Sequence, residues 1–286
     1  MERARCALEG LSIGDALGHS LQWCAERVPR RSEPPAPWSW SDDTEMAASV
    51  LATLEAHGTI DQDELARRFA RDFHAGRMYG PAMLHEYFPR VRAGEPWRAV
   101  ARSLFGGQGS LGNGAAMRVA PLGAWFADRP ERLVEETRRS AEVTHAHEDG
   151  IAGAIAVASA SAWACRLRGS SPSPDELLER VLADVPAGEV ARGLLEARRL
   201  GPRASRDEAI AALGNGARVT AADTVPFALW AAARHLGDLT EALWFTIGAF
   251  GDMDTNAAIV GGVVASFVGE AGIPPRWRRL REPLPG

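Results

Sequence analysis

The chain has 286 residues, of which 46% are hydrophobic and 24% charged, and a net charge of −5. This length and composition suit a globular protein with a sizeable core and exclude a disordered or fibrous chain. The acidic balance argues against a surface built to attract nucleic acid or anionic lipid.

The first predicted element is a helix over 2–18, carrying GLSIGDALG. The opening MERARCALEG lacks the apolar stretch of a signal peptide. Cys6, Cys24 and Cys165 are too widely spaced for a disulfide framework or a CxxC pair, so a reducing compartment, the cytoplasm, is expected. The turn-rich VPRRSEPPAP (28–37) leads into SDDTEM (41–46). There Asp42, with Glu45 three residues on, has the arrangement of a capping box. A helix over 44–57 follows and ends at Gly58. Helices over 61–76 and 80–88 precede a glycine-rich stretch, GGQGSLGNG (106–114).

Within GSLGNGAAMRVAPLG (109–123), Gly109, Gly112 and Gly114 permit either a sharp turn or close approach of the backbone to a ligand. Amides exposed in such a loop can cradle phosphate, but no GK[ST] follows, so this is not a P-loop. Arg118 is open between a phosphate partner and a structural role. Further helices are predicted over 130–142, 147–168, 174–183, 187–199, 206–213, 223–235, 238–248 and 254–268. Two of these contain small-residue runs, GIAGAIAVASASAWA and NAAIVGGVVAS, that let helix backbones approach closely. AAIVGGVVASFV (257–268) is too short for a membrane span. With no alternating run, no fixed-period repeat and no long linker, the expected class is all-α, in one domain over 1–286.

SDDTEM has a counterpart in GAFGDMDTNAAIVGG (248–262), where Asp252, Asp254 and Thr255 again open an apolar helix. One capping residue serves a helix, and each cluster carries more. Converging carboxylates repel one another unless a cation lies between them. Carboxylate and hydroxyl oxygens suit hard ions such as Mg²⁺ or Mn²⁺. The residues alone leave two alternatives open, a shared metal site or two independently capped helices.

Four segments taken in order, GLSIGDALGHSLQ (10–22), WSDDTEM (40–46), GNGAAMRVAPLG (112–123) and GAFGDMDTNAAIVGG (248–262), closely resemble the ADP-ribosylglycohydrolases of the dinitrogenase-reductase-activating type. Thr144-His145 and ADTVPFALW (222–230) match further signatures of that family. The resemblance implies an orthogonally packed multi-helix domain with a central cleft holding two divalent cations, Mg²⁺ or Mn²⁺. It implies hydrolysis of the bond from ADP-ribose to a protein side chain or small conjugate, by metal-activated water at the anomeric carbon, with no membrane partner. An ADP-ribosylated base is a further substrate class left open. Ser41, Asp42, Asp43, Asp252, Asp254 and Thr255 would be the metal ligands, Ser41 standing where the family usually has threonine. Phe105, Ser110, Gly112, Asn113, Gly114, Met117 and His145 would bind the ADP-ribose. Asp43, Asp254 and Gln22 would be closest to the chemistry. Gln22 is a departure, because the family usually carries glutamate there, and glutamine cannot take a proton. The alternatives are a weak or inactive relative that binds ADP-ribose, and a hydrolase of another nucleotide or glycosyl conjugate.

Overall fold

The computed structural model describes residues 1–201 and 203–285. Among them the chain is all-helical, and its only β pairings are isolated bridges between Trp38 and Arg281 and between Gly112 and Thr220. In chain order the α-helices are α1 (Glu2–Gln22), α2 (Asp42–His57), α3 (Gln62–Asp72), α4 (Phe88–Arg92), α5 (Trp97–Gly107), α6 (Ala120–Trp125) and α7 (Pro130–Glu142). They continue as α8 (Glu148–Arg166), α9 (Pro174–Leu182), α10 (Glu189–Leu200), α11 (Arg206–Leu213), α12 (Ala221–Arg234), α13 (Leu239–Ile247), α14 (Met253–Val268) and α15 (Pro275–Leu280). No helix among the described residues is long and apolar enough to cross a membrane.

The centre of the fold is the antiparallel pair α1 and α14, and small residues make it possible. A Cβ at Gly10 would collide with the Gly261 carbonyl, one at Gly14 with the Ala257 carbonyl, and one at Gly18 with the backbone of Met253 and Asp254. The helices therefore touch backbone to backbone at three points one turn apart, a close fit that interior packing density rewards. This contact fixes the register of α1 against the start of α14, and with it the position of the second acidic cluster. The small-residue helix α8 lies against the same core. Its Ala158 carbonyl meets Gly123 of α6, and its Ser161 hydroxyl donates to the Ala120 carbonyl (2.7 Å) and pairs with the Ser266 hydroxyl (2.8 Å).

Three differences from the sequence expectation matter. Helix α1 runs to Gln22 instead of stopping at 18, because Gly18 is a packing contact with α14 and not a terminator. The predicted 80–88 helix is a π-turn, Met83–Tyr87, followed by α4. Pro89, which has no amide to donate, stands at the junction. The short helices α5, α6 and α15 were not expected. The regular part of α5 ends before Leu104, Phe105 and Gly106, whose backbone angles are non-helical.

Candidate active site

Residues 15, 19 and 22 share one face of α1, since they lie four and then three positions apart. Asp15 is fully buried and acts on another helix. Its carboxylate accepts from the Ser41 amide (3.0 Å to each oxygen), the Thr44 amide (3.0 Å) and the Thr44 hydroxyl (2.5 Å). These are orphan donors of the first turn of α2, so the cap is largely supplied from 26 residues away. The N-cap residue itself is Ser41, whose hydroxyl accepts from the Asp43 amide (3.3 Å) and donates to Asp43 Oδ2 (2.7 Å).

The expected Asp42–Glu45 capping box is thus corrected. Glu45 turns inward, where its carboxylate accepts from the Tyr79 hydroxyl (2.6 Å) and the His74 amide (3.0 Å) and pairs with the His74 ring. Relieved of capping, Asp42 and Asp43 are free for other work. Asp43 is buried, and its Oδ1 has no hydrogen-bond partner.

The second cluster meets the first. One carboxylate oxygen from each of Asp15, Asp43 and Asp254 lies within 4.8 Å of the others, all three residues being buried. Asp254 Oδ1 accepts from the Thr255 amide (3.0 Å), while Oδ2 lies 3.6 Å from His19 Nδ1. The Gln22 side chain also reaches Asp254 and favours its charged form. Asp252 stands at the N-cap of α14 without capping it. Asn113 Nδ2 donates to its Oδ2 (2.7 Å), and its amide donates to the Asn215 carbonyl (3.2 Å).

The electrostatics are those of surplus negative charge. Burial, opposed by hydrogen bonds from Thr44 and Ser41 and reinforced by the charge of Asp254, lifts Asp15 to about 6. Burial, then Asp254, lifts Asp252 to about 8. Asp42 and Asp43 are raised well above the usual carboxylate range by burial and by their acidic neighbours. Asp254 moves the other way. Burial raises it, but the nearby His19 ring, Asp252, the Thr255 amide and Gln22 outweigh that and hold it below the usual value. A buried group of this kind, with an orphaned oxygen in its midst, fits a divalent cation held by oxygen donors.

The glycine-rich loop borders this cluster. Phe105 sits in the left-handed region (φ 53°) and is 58% exposed, and Gly109 (φ 75°) passes so close to Ala146 that a Cβ there would lie 2.7 Å from the alanine methyl. The Ser110 hydroxyl accepts from the Gly112 amide (3.2 Å), and Met117, just after the loop, is buried. His145 lies against Gly112 and Gly114, where a Cβ would approach its ring to 3.5 and 3.2 Å. Its Nδ1 pairs with the Thr144 hydroxyl (2.7 Å). Burial, then the charge of Arg118, lowers His145 to about 3, so it is neutral at ordinary pH. Arg118 proves structural. Fully buried, it donates to the Gly114 (3.3 Å) and Ser140 (2.8 Å) carbonyls and stacks 4.7 Å from the Phe69 ring centre.

Three features escaped the sequence reading. One is Asp15, a lone aspartate inside a helix whose partners are distant in sequence. The second is His19, placed only by the continuation of α1. The third left a legible signal, since LGNGA occurs at 111–115 and again at 213–217. The first copy joins the segment just after the second through the Gly112–Thr220 bridge, an Asn113 amide to Val219 carbonyl bond (3.2 Å) and an Ala221 amide to Leu111 carbonyl bond (3.0 Å). Their asparagines hold Asp252 from two sides.

A sequence profile of the ADP-ribosylglycohydrolase family matches residues 1–284. The chain belongs to the ADP-ribosylglycohydrolase family. Among characterised relatives it is 30% identical to the ADP-ribosylhydrolase ARH3 of Bos taurus, over 99% of this chain and 89% of the relative, and 29% identical to that of Homo sapiens, over 99% and 90%. It is 26% identical to the ADP-ribosylarginine hydrolase Tri1 of Pseudomonas putida, over 97% of this chain and 73% of the relative. A solved structure described as an ADP-ribosylglycohydrolase-related protein complex superposes with a TM-score of 0.67 at 24% identity, covering 98% of this chain and 92% of that one. That likeness supports the all-helical ADP-ribosylglycohydrolase fold.

Proposed function

We propose that the chain, acting as one domain, is a divalent-metal-dependent hydrolase that releases ADP-ribose from a modified protein side chain or a small ADP-ribosyl conjugate in the cytoplasm. The observation that carries this is the meeting of Asp15, Asp43 and Asp254 within 4.8 Å around an unpartnered Asp43 oxygen, beside a glycine loop. Ser41, Asp42, Asp43, Asp252, Asp254 and Thr255 would hold one or two ions, Mg²⁺ or Mn²⁺, with Asp15 holding the start of α2 in place behind them. When bound, such ions supply a grip on ribose hydroxyls and a water of lowered pKa.

The remaining work falls to side chains of this chain. Asp43 orients the attacking water towards the anomeric carbon, and the neighbouring carboxylates favour the oxocarbenium-like charge that develops there. Gln22, beside Asp254, hydrogen-bonds a ribose hydroxyl or a water but takes no proton. The backbone of 110–114 and the neutral His145 seat the diphosphate and distal ribose, Met117 supports the loop, and exposed Phe105 offers an aromatic face. Fixing the reactant in this way removes much of the entropic part of the barrier.

Incubation with Mg²⁺ and arginine-, serine- or O-acetyl-linked ADP-ribose should release free ADP-ribose from at least one of the three. Gln22 favours one rival, a relative that binds ADP-ribose without cleaving it. Retained binding with no release from any conjugate would establish that rival. A rise in rate for Gln22→Glu would identify a missing base, and an unchanged rate would show that the position is not limiting.

A further inference from the structure

We propose that His19 is a nitrogen ligand of the acidic centre, and that it biases the centre towards ions that accept imidazole, such as Mn²⁺, over Mg²⁺. The inference rests on the metal-dependent function proposed above.

His19 Nδ1 is buried and has no hydrogen-bond partner. It lies 3.6 Å from Asp254 Oδ2, and its side chain is only 14% exposed. That separation is too long for a good hydrogen bond. It is close to the roughly 3 Å expected between neighbouring donors on an octahedral ion with bonds of about 2.1 Å. The His19 ring has an aromatic neighbour and follows a tight backbone contact. Trp23 meets it edge-on, with ring centres 6.5 Å apart, and the preceding Gly18 is pressed against Met253 and Asp254.

Every other candidate donor here, Ser41, Asp42, Asp43, Asp252, Asp254 and Thr255, offers oxygen. Oxygen donors suit Mg²⁺ and Mn²⁺ alike, whereas imidazole nitrogen adds affinity for transition-metal ions and little for Mg²⁺. One histidine is therefore enough to separate ions that the carboxylates treat similarly.

The test uses the full chain and the metal alone. Pulsed EPR of the Mn²⁺-loaded protein should show coupling to a directly bound ¹⁴N, present in wild type and in His145→Ala but absent in His19→Ser. By calorimetry His19→Ser should weaken Mn²⁺ binding about tenfold while changing Mg²⁺ binding less than about twofold. His19→Gln keeps the bulk of the side chain and offers an oxygen, so it should narrow the gap between the two ions in the same direction. Mn²⁺ bound by wild type without ¹⁴N coupling, or equal losses for both ions in His19→Ser, would overturn the inference and leave the metal-dependent function intact. Failure of wild type to bind either ion would overturn both.

Discussion

The two acidic helix starts reach the same place by opposite means. At α2 the first-turn amides are satisfied by Ser41 and by Asp15, which arrives from the centre of α1. At α14 the N-cap residue Asp252 makes no cap bond and is held from outside by Asn113 and Asn215, one from each LGNGA loop. The first start is anchored to a rigid helix and the second to paired loops. At the first start the fold gives the ordinary task of a helix-opening carboxylate to other groups, at the second it leaves the N-cap side chain without a cap bond, and an oxygen of Asp43 and one of Asp254 converge beside Asp15.

Breaking the shared centre should have the largest effect. Asp254→Ala, which removes the oxygen that faces Asp43, Asp15 and His19, should lower ADP-ribose release more than about a hundredfold at saturating metal, with the fold retained by circular dichroism. Loosening the loop-held start comes next. Asn113→Ala removes the 2.7 Å bond to Asp252 and should weaken Mn²⁺ binding about tenfold or more in a calorimetric titration. Asp15→Ala sharpens the contrast from the other side. It strips the first turn of α2 of its remote cap and should cost about 2 kcal/mol, read as a melting temperature lower by about 5 °C.

The pH dependence of the metal-free chain is a smaller effect. Asp15, raised to about 6, and Asp252, raised to about 8, titrate near 4 when unfolded. Between those values the folded chain binds more protons than the unfolded one. Their contribution is fully present below about pH 4 and is lost as the pH rises through 6 and 8. Asp254, shifted downward, acts in the opposite sense and only at the acid end. In EDTA the melting temperature should therefore fall by several degrees between pH 5 and pH 8.5, and Mn²⁺ should flatten the curve. A flat curve in EDTA would mean that burial and the charge of Asp254 do not raise these carboxylates.

What was legible beforehand follows the same division. SDDTEM and GDMDT announced themselves because they hold more oxygen donors than a cap requires, a surplus visible in adjacent letters. The long helices α2, α8, α12 and α14 were legible because their apolar and small residues run for several turns. Asp15 was not, because its partners Ser41 and Thr44 are set by the packing of α1 on α14 and not by local spacing. His19 was obscured because the expected helix stops at Gly18, a residue whose missing side chain α14 needs, whereas Gln22 was legible through the family resemblance. The six-residue helices α6 and α15 are too short for periodicity to register.

The central claim is that residues from two distant helix starts form one cation site. It is tested most directly by titrating Mn²⁺ into metal-free wild type, Asp43→Ala and Asp254→Ala. Binding by wild type, abolished in each single variant, is the predicted result. Undiminished binding in either variant would contradict the convergence of the two helix starts on a shared ion.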